Sequence, residues 1–211
     1  MMLRTLSFVL AYIMSTLPAM SSVDKEWRFS VYLDDKQIGY HHFKLTPVGE
    51  GLQLSSEARF EVTFLKIPLY RYRHNSTELW NSECLGRITS FTDANGENNR
   101  LEGSRDGAAF VLNTQQAVTE LPACVASFAY WNPGLLERER LLNPQTGDYL
   151  DARLEYLGRD SVVVAEEKTL AHRYRLTTGE QPIDLWYSAH NQWLGLQATV
   201  AGDRSLRYVI E

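Results

Sequence analysis

The stretch LQLSSEARFEVTF, residues 52–64, alternates apolar and polar side chains and decides the fold class of this chain. One face carries Leu52, Leu54, Ala58, Phe60, Val62 and Phe64. The other face carries Gln53, Ser55, Glu57, Arg59, Glu61 and Thr63. A period of two residues is typical of a β-strand with one face against a core. Because most strands are shorter than this stretch, we expect it to bend across a strongly curved sheet.

The same alternation recurs along most of the chain and predicts further strands. We place them at residues 27–33, 37–45, 69–80, 86–93, 108–112, 151–157, 161–166, 171–178, 183–188, 193–200 and 205–210. Turn signals separate them at 95–96, 158–160, 179–182 and 202–203, and short connections favour antiparallel neighbours. The sequence therefore predicts a mainly β fold, a single curved antiparallel meander that forms a half-barrel or a barrel. A split into a sandwich is the other arrangement that the pattern allows.

One segment, residues 132–142, interrupts the strand pattern and predicts one short helix. Asn132 is suited to the N-cap and Pro133 to the first turn, while Asn143-Pro144 would end the helix. Trp131 stands at the start of this segment, so the helix could cover the sheet as a lid.

The N-terminal residues predict a signal peptide at residues 1–21. A short basic start is followed by an apolar run at 6–14, and Ala19-Met20-Ser21 forms a small-x-small cleavage pattern. The apolar run is too short to span a bilayer, although an uncleaved anchor is the alternative. We therefore expect a single antiparallel β domain at 22–211, periplasmic or secreted, with no transmembrane segment after cleavage.

The charge of the chain argues against nucleic acid as a partner. The formal net charge is −5 at pH 7, and basic and acidic residues are scattered along the sequence. A protein that binds nucleic acid needs a basic stripe, which this sequence lacks.

Two cysteines, Cys84 and Cys124, predict a disulfide, because an even count in an exported chain favours pairing. Two free buried thiols are the alternative. A redox role is not expected, since the sequence has no C-x-x-C motif.

The stretch IDLWYSAHNQWLGL, residues 183–196, contains two tryptophans, a tyrosine, a histidine and an acid, and predicts a hairpin. Cross-strand aromatic pairs stabilise such hairpins. A binding role is the alternative interpretation, because Gly195 beside Trp186 and Trp193 would let a flat ligand approach the sheet.

A second cluster, at residues 70–73, places tyrosines and arginines on opposite faces of one predicted strand. Tyr70 and Tyr72 share a face that would suit the mouth of a partly apolar cavity. Arg71 and Arg73 share the other face and could hold an anionic headgroup. The alternative is cross-strand pairing of the arginines with the acids of residues 57–61.

The sequence contains no motif for catalysis, a metal ion or a cofactor. The five histidines are adjacent or single, and there is no G-x-S-x-G or H-E-x-x-H. Asp184 is an acid flanked by apolar residues, and burial would require a partner such as Arg173 or Arg175. We therefore expect no metal, no cofactor and no enzymatic activity, with an acid-dependent hydrolase built across strands as the alternative.

Several motifs together resemble a domain-of-unknown-function family of exported proteobacterial proteins. They are WRFSVYLDDKQIG at 27–39, YWN at 130–132, LLNPQTG at 141–147, DLWY at 184–187 and WLGL at 193–196. The resemblance covers nearly the whole mature chain and implies compartment and fold, because that family has no established activity. The long bent strands are also similar to the half-barrels of periplasmic lipoprotein carriers, which is an analogy of fold alone.

These observations favour an exported protein that binds an apolar or amphipathic, lipid-like ligand on a curved sheet. The predicted ligand-binding residues are Tyr70, Arg71, Tyr72, Arg73, Trp131, Trp186 and Trp193. The alternative is an envelope protein that binds another protein through a sheet edge or an apolar patch.

Overall fold

The computed structural model describes residues 24–65, 67–165, 167–179 and 181–211, and the predicted signal peptide at 1–21 lies outside them. The first strands are β1 (Lys25–Leu33), β2 (Lys36–Val48), β3 (Gly51–Phe64), β4 (Ile67–Asn81), β5 (Cys84–Ala94), β6 (Glu97–Asp106), β7 (Ala109–Thr114) and β8 (Val118–Pro122). The later strands are β9 (Arg140–Leu142), β10 (Tyr149–Asp151), β11 (Arg153–Val164), β12 (Glu167–Thr178), β13 (Gln181–Tyr187), β14 (Trp193–Val200) and β15 (Arg204–Ile210). One 3-10 helix spans Pro133–Glu137.

Thirteen of these strands form one sheet in the order β11-β12-β13-β14-β15-β1-β2-β3-β4-β5-β6-β7-β8. Neighbours in this order run antiparallel, and most are also consecutive in sequence. Strand β11 additionally meets β15 in a parallel contact between Val164 and Ile210, so the last five strands curl back on themselves. The predicted mainly β, curved antiparallel meander is confirmed.

Most predicted turns are present, but the one at residues 158–160 is wrong. Strand β11 continues through Gly158, where the register against β12 shifts by one residue. Gly158 has a φ of +103°, which a glycine adopts at little cost. A bulge and a turn share this local signal, and the chain reverses only between Val164 and Glu167.

The predicted helix is shorter than the sequence pattern indicated. Asn132 caps it as expected, since its Oδ1 accepts from the Gly134 amide at 2.9 Å. The helix ends at Glu137, however, and β9 follows at Arg140–Leu142. Leu141 and Leu142 are both fully buried, which a short inner strand satisfies better than one helical face.

The segment between β8 and β11, residues 123–152, lies against the concave side of the sheet and fills much of the core. We call it the inner segment. Val125, Ala129 and Leu135 of this segment are buried in the main hydrophobic cluster with β-strand side chains such as Phe29 and Trp80. The predicted Cys84–Cys124 disulfide is confirmed and fastens the segment to β5, with the two Cα atoms 4.9 Å apart.

The hairpin of β13 and β14 is buried on both faces at residues 184–187 and 193–196. Leu185 and Trp193 pack in the main core, whereas Trp186 and Leu194 point to the other side, against Ala171 of β12. The β11–β12 hairpin covers that second face. The hairpin predicted for 183–196 is confirmed, with β13 and β14 paired in antiparallel register.

Candidate functional site

An open cavity of about 530 Å³ lies on the concave side, where six successive strands of the sheet order, β14 to β4, reach one end. Its apolar walls are Leu33, Ile38, Phe60, Val62, Val200 and Leu206. Tyrosines 70, 72 and 208 complete the lining, with Gln145 and Arg204 as the polar members. We call this space the Tyr208 cavity. Its volume falls in the range of sites for small molecules.

Stacked aromatic rings build one wall of the Tyr208 cavity. Phe60 and Tyr72 are register partners on β3 and β4, and their rings stack with centroids 5.0 Å apart and planes 11° apart. The Tyr208 ring meets Phe60 edge to face at 6.3 Å. Such pairs stabilise the packing beyond the area that they bury, which favours this arrangement of the wall.

The inner end of the cavity leads to a hydrogen-bonded histidine. Nδ1 of His41 lies 3.2 Å from the Tyr208 hydroxyl, and its Nε2 lies 2.7 Å from Oγ of Ser56. Burial, together with the nearby His74 and His42, holds the pKa of His41 well below its ordinary value. The neutral ring donates through one nitrogen and accepts through the other, which satisfies both neighbours.

Polar side chains continue from His41 along the inner faces of β3, β4 and β5. The buried members are Ser56, His74, Ser76, Glu78, Ser90 and Thr92. Nδ1 of His74 lies 2.9 Å from Oγ1 of Thr92, and burial lowers the pKa of His74 to about 4. This inner polar strip therefore carries neutral imidazoles at neutral pH.

Glu78 lies at the far end of the inner polar strip. Its Oε2 accepts hydrogen bonds from Nε1 of Trp80 and Oγ of Ser127, each at 2.9 Å. Burial raises the pKa of Glu78 to about 7, although both hydrogen bonds oppose the rise. The carboxyl group joins β4 to the inner segment.

The structure separates the residues that the sequence grouped as one ligand site. Tyr70 and Tyr72 line the Tyr208 cavity. Arg71 and Arg73 lie on the opposite, exposed face of β4, where Nε of Arg71 donates to Oε2 of Glu61 at 3.3 Å. The predicted alternative, cross-strand pairing with an acid, therefore holds for Arg71.

The three predicted tryptophans lie in three different environments, away from the Tyr208 cavity. Trp193 is 1% exposed and packs in the main core, with its Nε1 donating to the Gly195 carbonyl at 2.9 Å. Trp186 lies on the other face of the same hairpin, and Trp131 packs edge to face on Trp80 at 5.6 Å. Trp186 and Trp193 are separated because this part of the hairpin is covered on both faces. A role of the three tryptophans in ligand binding stays a prediction.

Asp184 has the partners that the sequence predicted. Its carboxylate accepts from Arg173 at 2.5 Å and from Nε of Arg175 at 2.7 Å. Burial alone would raise the pKa of Asp184, but the hydrogen bonds from Arg175 and Arg173 hold it below its ordinary value. An ionised acid held between two arginines is a structural ion pair.

Within the described ranges, no three His, Cys, Asp or Glu side chains come together as a metal site would require. The same part of the chain also contains no helix long and apolar enough to cross a membrane. The absence of enzymatic activity stays a prediction.

Sequence reasoning missed His41, Glu78 and Tyr208. The alternation places them on inward faces, but it does not tell which distant strands those faces meet. A signal was present in β4, whose inward positions carry polar side chains at His74, Ser76 and Glu78. Consecutive polar residues on a buried face indicate an internal polar site.

The fold and the cavity define a β-barrel-like protein with an open, mainly apolar cavity. The chain belongs to the family described as domain of unknown function DUF6134, whose model matches residues 29–211. This finding confirms the resemblance to an uncharacterised domain family.

Among solved structures, the chain is similar to the beta-barrel-like protein of domain of unknown function DUF1849 from Brucella abortus. The TM-score is 0.64 at 10% sequence identity, and the alignment covers 88% of this chain and 94% of that one. At this identity the likeness shows the fold alone. A search of curated proteins finds no match.

Proposed function

We propose that the protein binds an amphipathic, lipid-like molecule in the Tyr208 cavity, in a compartment outside the cytoplasm. The cavity itself carries the proposal, because its walls are apolar over most of their area and one end opens to solvent. Each methylene group of a ligand that leaves water contributes about 0.8 kcal/mol. A short acyl chain therefore gains several kcal/mol on entering.

The polar members of the lining support an amphipathic ligand over a purely apolar one. Gln145 and Arg204 are polar members of the lining, and Arg204 is paired with Asp34 at 2.8 Å. A hydroxyl, ester or carboxylate group would find hydrogen-bond donors at these positions. Because Arg204 is already paired, a full negative charge on the ligand is not required.

Export is supported by the predicted signal peptide at 1–21 and by the Cys84–Cys124 disulfide, which is typical of oxidising compartments. Localisation is tested directly by cell fractionation with a cytoplasmic marker. Recovery of the protein with the cytoplasmic marker would contradict this part of the proposal.

The first test is native mass spectrometry of the protein released gently from cells, followed by solvent extraction. We expect a stoichiometric lipid-like molecule in the extract. The second test is displacement of a fluorescent fatty acid from the purified protein. Leu206→Trp fills the cavity and should abolish probe binding, while Val118→Trp, on exposed β8, serves as the control.

The proposal fails if the extract is empty and the wild-type protein does not bind the probe. It also fails if Leu206→Trp and Val118→Trp bind the probe equally well. A protein partner, the alternative predicted from the sequence, would then be sought at β8, which ends the sheet.

A further inference from the structure

The β3–β4 hairpin ends in a turn that is unusual for this sheet. Phe64 and Ile67 pair in register, so the connection between the two strands is only two residues long and has the sequence Leu-Lys. The β5–β6 hairpin has the same arrangement between Ala94 and Glu97, with Asn-Gly as its loop. Asn-Gly suits a tight hairpin turn, whereas Leu-Lys does not.

Leu65 is both strained and exposed. Its φ is +47°, in the left-handed region that favours glycine and asparagine. Its side chain is 80% exposed. The other non-glycine residues with positive φ in the described ranges are small or polar: Asp34, Ser82, Asn95, Ala165, Asn191 and Asp203. An exposed leucine in a strained conformation does not stabilise the fold, which indicates that its side chain serves an interaction with another molecule.

Leu65 begins an apolar tip. Ile67 and Leu69 are 62% and 59% exposed, so three large aliphatic side chains protrude within five residues. Tyr70 follows at 40% exposure and lines the Tyr208 cavity. We call Leu65, Ile67 and Leu69 together the apolar tip. Because Tyr70 lines the Tyr208 cavity, the apolar tip is continuous with the mouth of that cavity.

Basic side chains stand behind the apolar tip. Residues 59–73 contain four basic residues and one acid, a net +3, although the whole chain has a net −5. Arg59 and Arg73 are register partners on the exposed face, and Nζ of Lys36 donates to Thr63 at 3.0 Å. Along a strand, Arg71 lies about 13 Å from Ile67. This spacing places the positive charges at headgroup depth when the tip enters the acyl boundary.

We propose that the apolar tip docks the protein on an anionic lipid bilayer and brings the mouth of the Tyr208 cavity to the membrane surface. The choice of a bilayer rests on the proposed function, since the cavity beside the tip is the one assigned to a lipid-like ligand. Charge complementarity supports it independently, because the rest of this acidic chain is repelled by an anionic surface.

The test is co-sedimentation of the exported full chain with vesicles of phosphatidylcholine alone or mixed with phosphatidylglycerol. We expect binding to the mixed vesicles that weakens as salt is raised. The triple variant Leu65→Ser/Ile67→Ser/Leu69→Ser should lower the partition coefficient by at least about tenfold. The control is Val118→Ser/Leu170→Ser, whose two side chains are similarly exposed on other strands and whose binding should stay at the wild-type level.

Leu65→Asn separates docking from folding. Asparagine suits the left-handed turn, so this variant should melt no lower than the wild type and yet bind vesicles more weakly. A structural role for Leu65 would lower the melting temperature and leave vesicle binding unchanged.

Three results would overturn the proposal. They are no vesicle binding by the wild type, an equal loss in the tip and control variants, and a concentration-dependent dimer that only the tip variant abolishes. Fatty-acid displacement without vesicles reports the proposed function separately. A wild type that binds the fatty acid but no vesicle contradicts docking alone, and the reverse result contradicts the cavity assignment.

Discussion

The buried acid Glu78 makes the free energy of unfolding depend on pH, and one substitution tests this contribution. The residue is 2% exposed, and its two hydrogen-bond donors, Trp80 and Ser127, come from β4 and the inner segment. Within the described residues, no ion pair involves this acid. A buried carboxyl without a cation is more stable when protonated.

The magnitude follows from the pKa of Glu78 in the folded and unfolded states. Burial raises this pKa from 4.5 to about 7. The folded protein therefore binds more protons between these values, so the contribution of Glu78 is complete below pH 4.5 and is lost as pH rises to 7. The loss amounts to about 3 kcal/mol. His74, whose pKa falls from 6.5 to about 4, acts in the opposite direction, since its contribution is lost as pH falls.

Glu78→Gln removes one of these two opposing titrations. The amide keeps an oxygen to accept from Trp80 and Ser127 but cannot ionise. Relative to the wild type, the free energy of unfolding of the variant should rise by about 3 kcal/mol between pH 4.5 and 7. For a chain of this length the change in melting temperature is about 10 °C.

Urea and thermal unfolding across this pH range measure the difference between Glu78→Gln and the wild type. Glu102→Gln, an exposed acid on β6, is the control and should follow the wild-type profile. A difference between Glu78→Gln and the wild type that stays constant with pH would refute the reasoning.

Three further predictions test the packing. Replacing Cys84 and Cys124 by alanine opens a loop with a sequence separation of 40 and should lower the free energy of unfolding by about 4 kcal/mol, measured in urea. Asp184→Asn leaves two arginines without their acid and should lower it by about 1–3 kcal/mol after solvent screening, and an unchanged value would contradict the structural ion pair. Leu65→Asn should raise it by about 1 kcal/mol, because asparagine tolerates the left-handed conformation, and a lower melting temperature would contradict the turn argument.

Most strands could be predicted from the sequence because alternation is a local property, but β6, β8, β9 and β10 were not predicted. Alternation also predicts the opposite faces of Tyr72 and Arg71 on β4. The turn predicted at 158–160 was wrong because a bulged glycine has the composition of a turn. The helix was predicted too long because charged residues at 137–140 continue a helical pattern, whereas burial of Leu141 requires a strand.

The candidate site could not be predicted, because it is assembled from strands that are distant in sequence. Leu33 of β1 and Leu206 of β15 meet in the Tyr208 cavity because β15 pairs with β1. No local sequence pattern predicts that β15 pairs with β1. The sequence grouped Trp186 and Trp193 as lining residues for a related reason. It does not reveal that β11 and β12 cover the second face of their hairpin.

The inner polar strip lies beyond the inner end of the Tyr208 cavity, to which His41 connects it through Ser56 and Tyr208. These polar groups are satisfied within the protein, as Ser90 donates to the Pro144 carbonyl at 2.5 Å and His41 bonds both Ser56 and Tyr208. Because satisfied groups do not require water, the inner end can be dry when a ligand enters. A ligand with one polar end would find hydrogen-bonding partners in Gln145 and Arg204 of the lining and would keep its chain against the apolar walls.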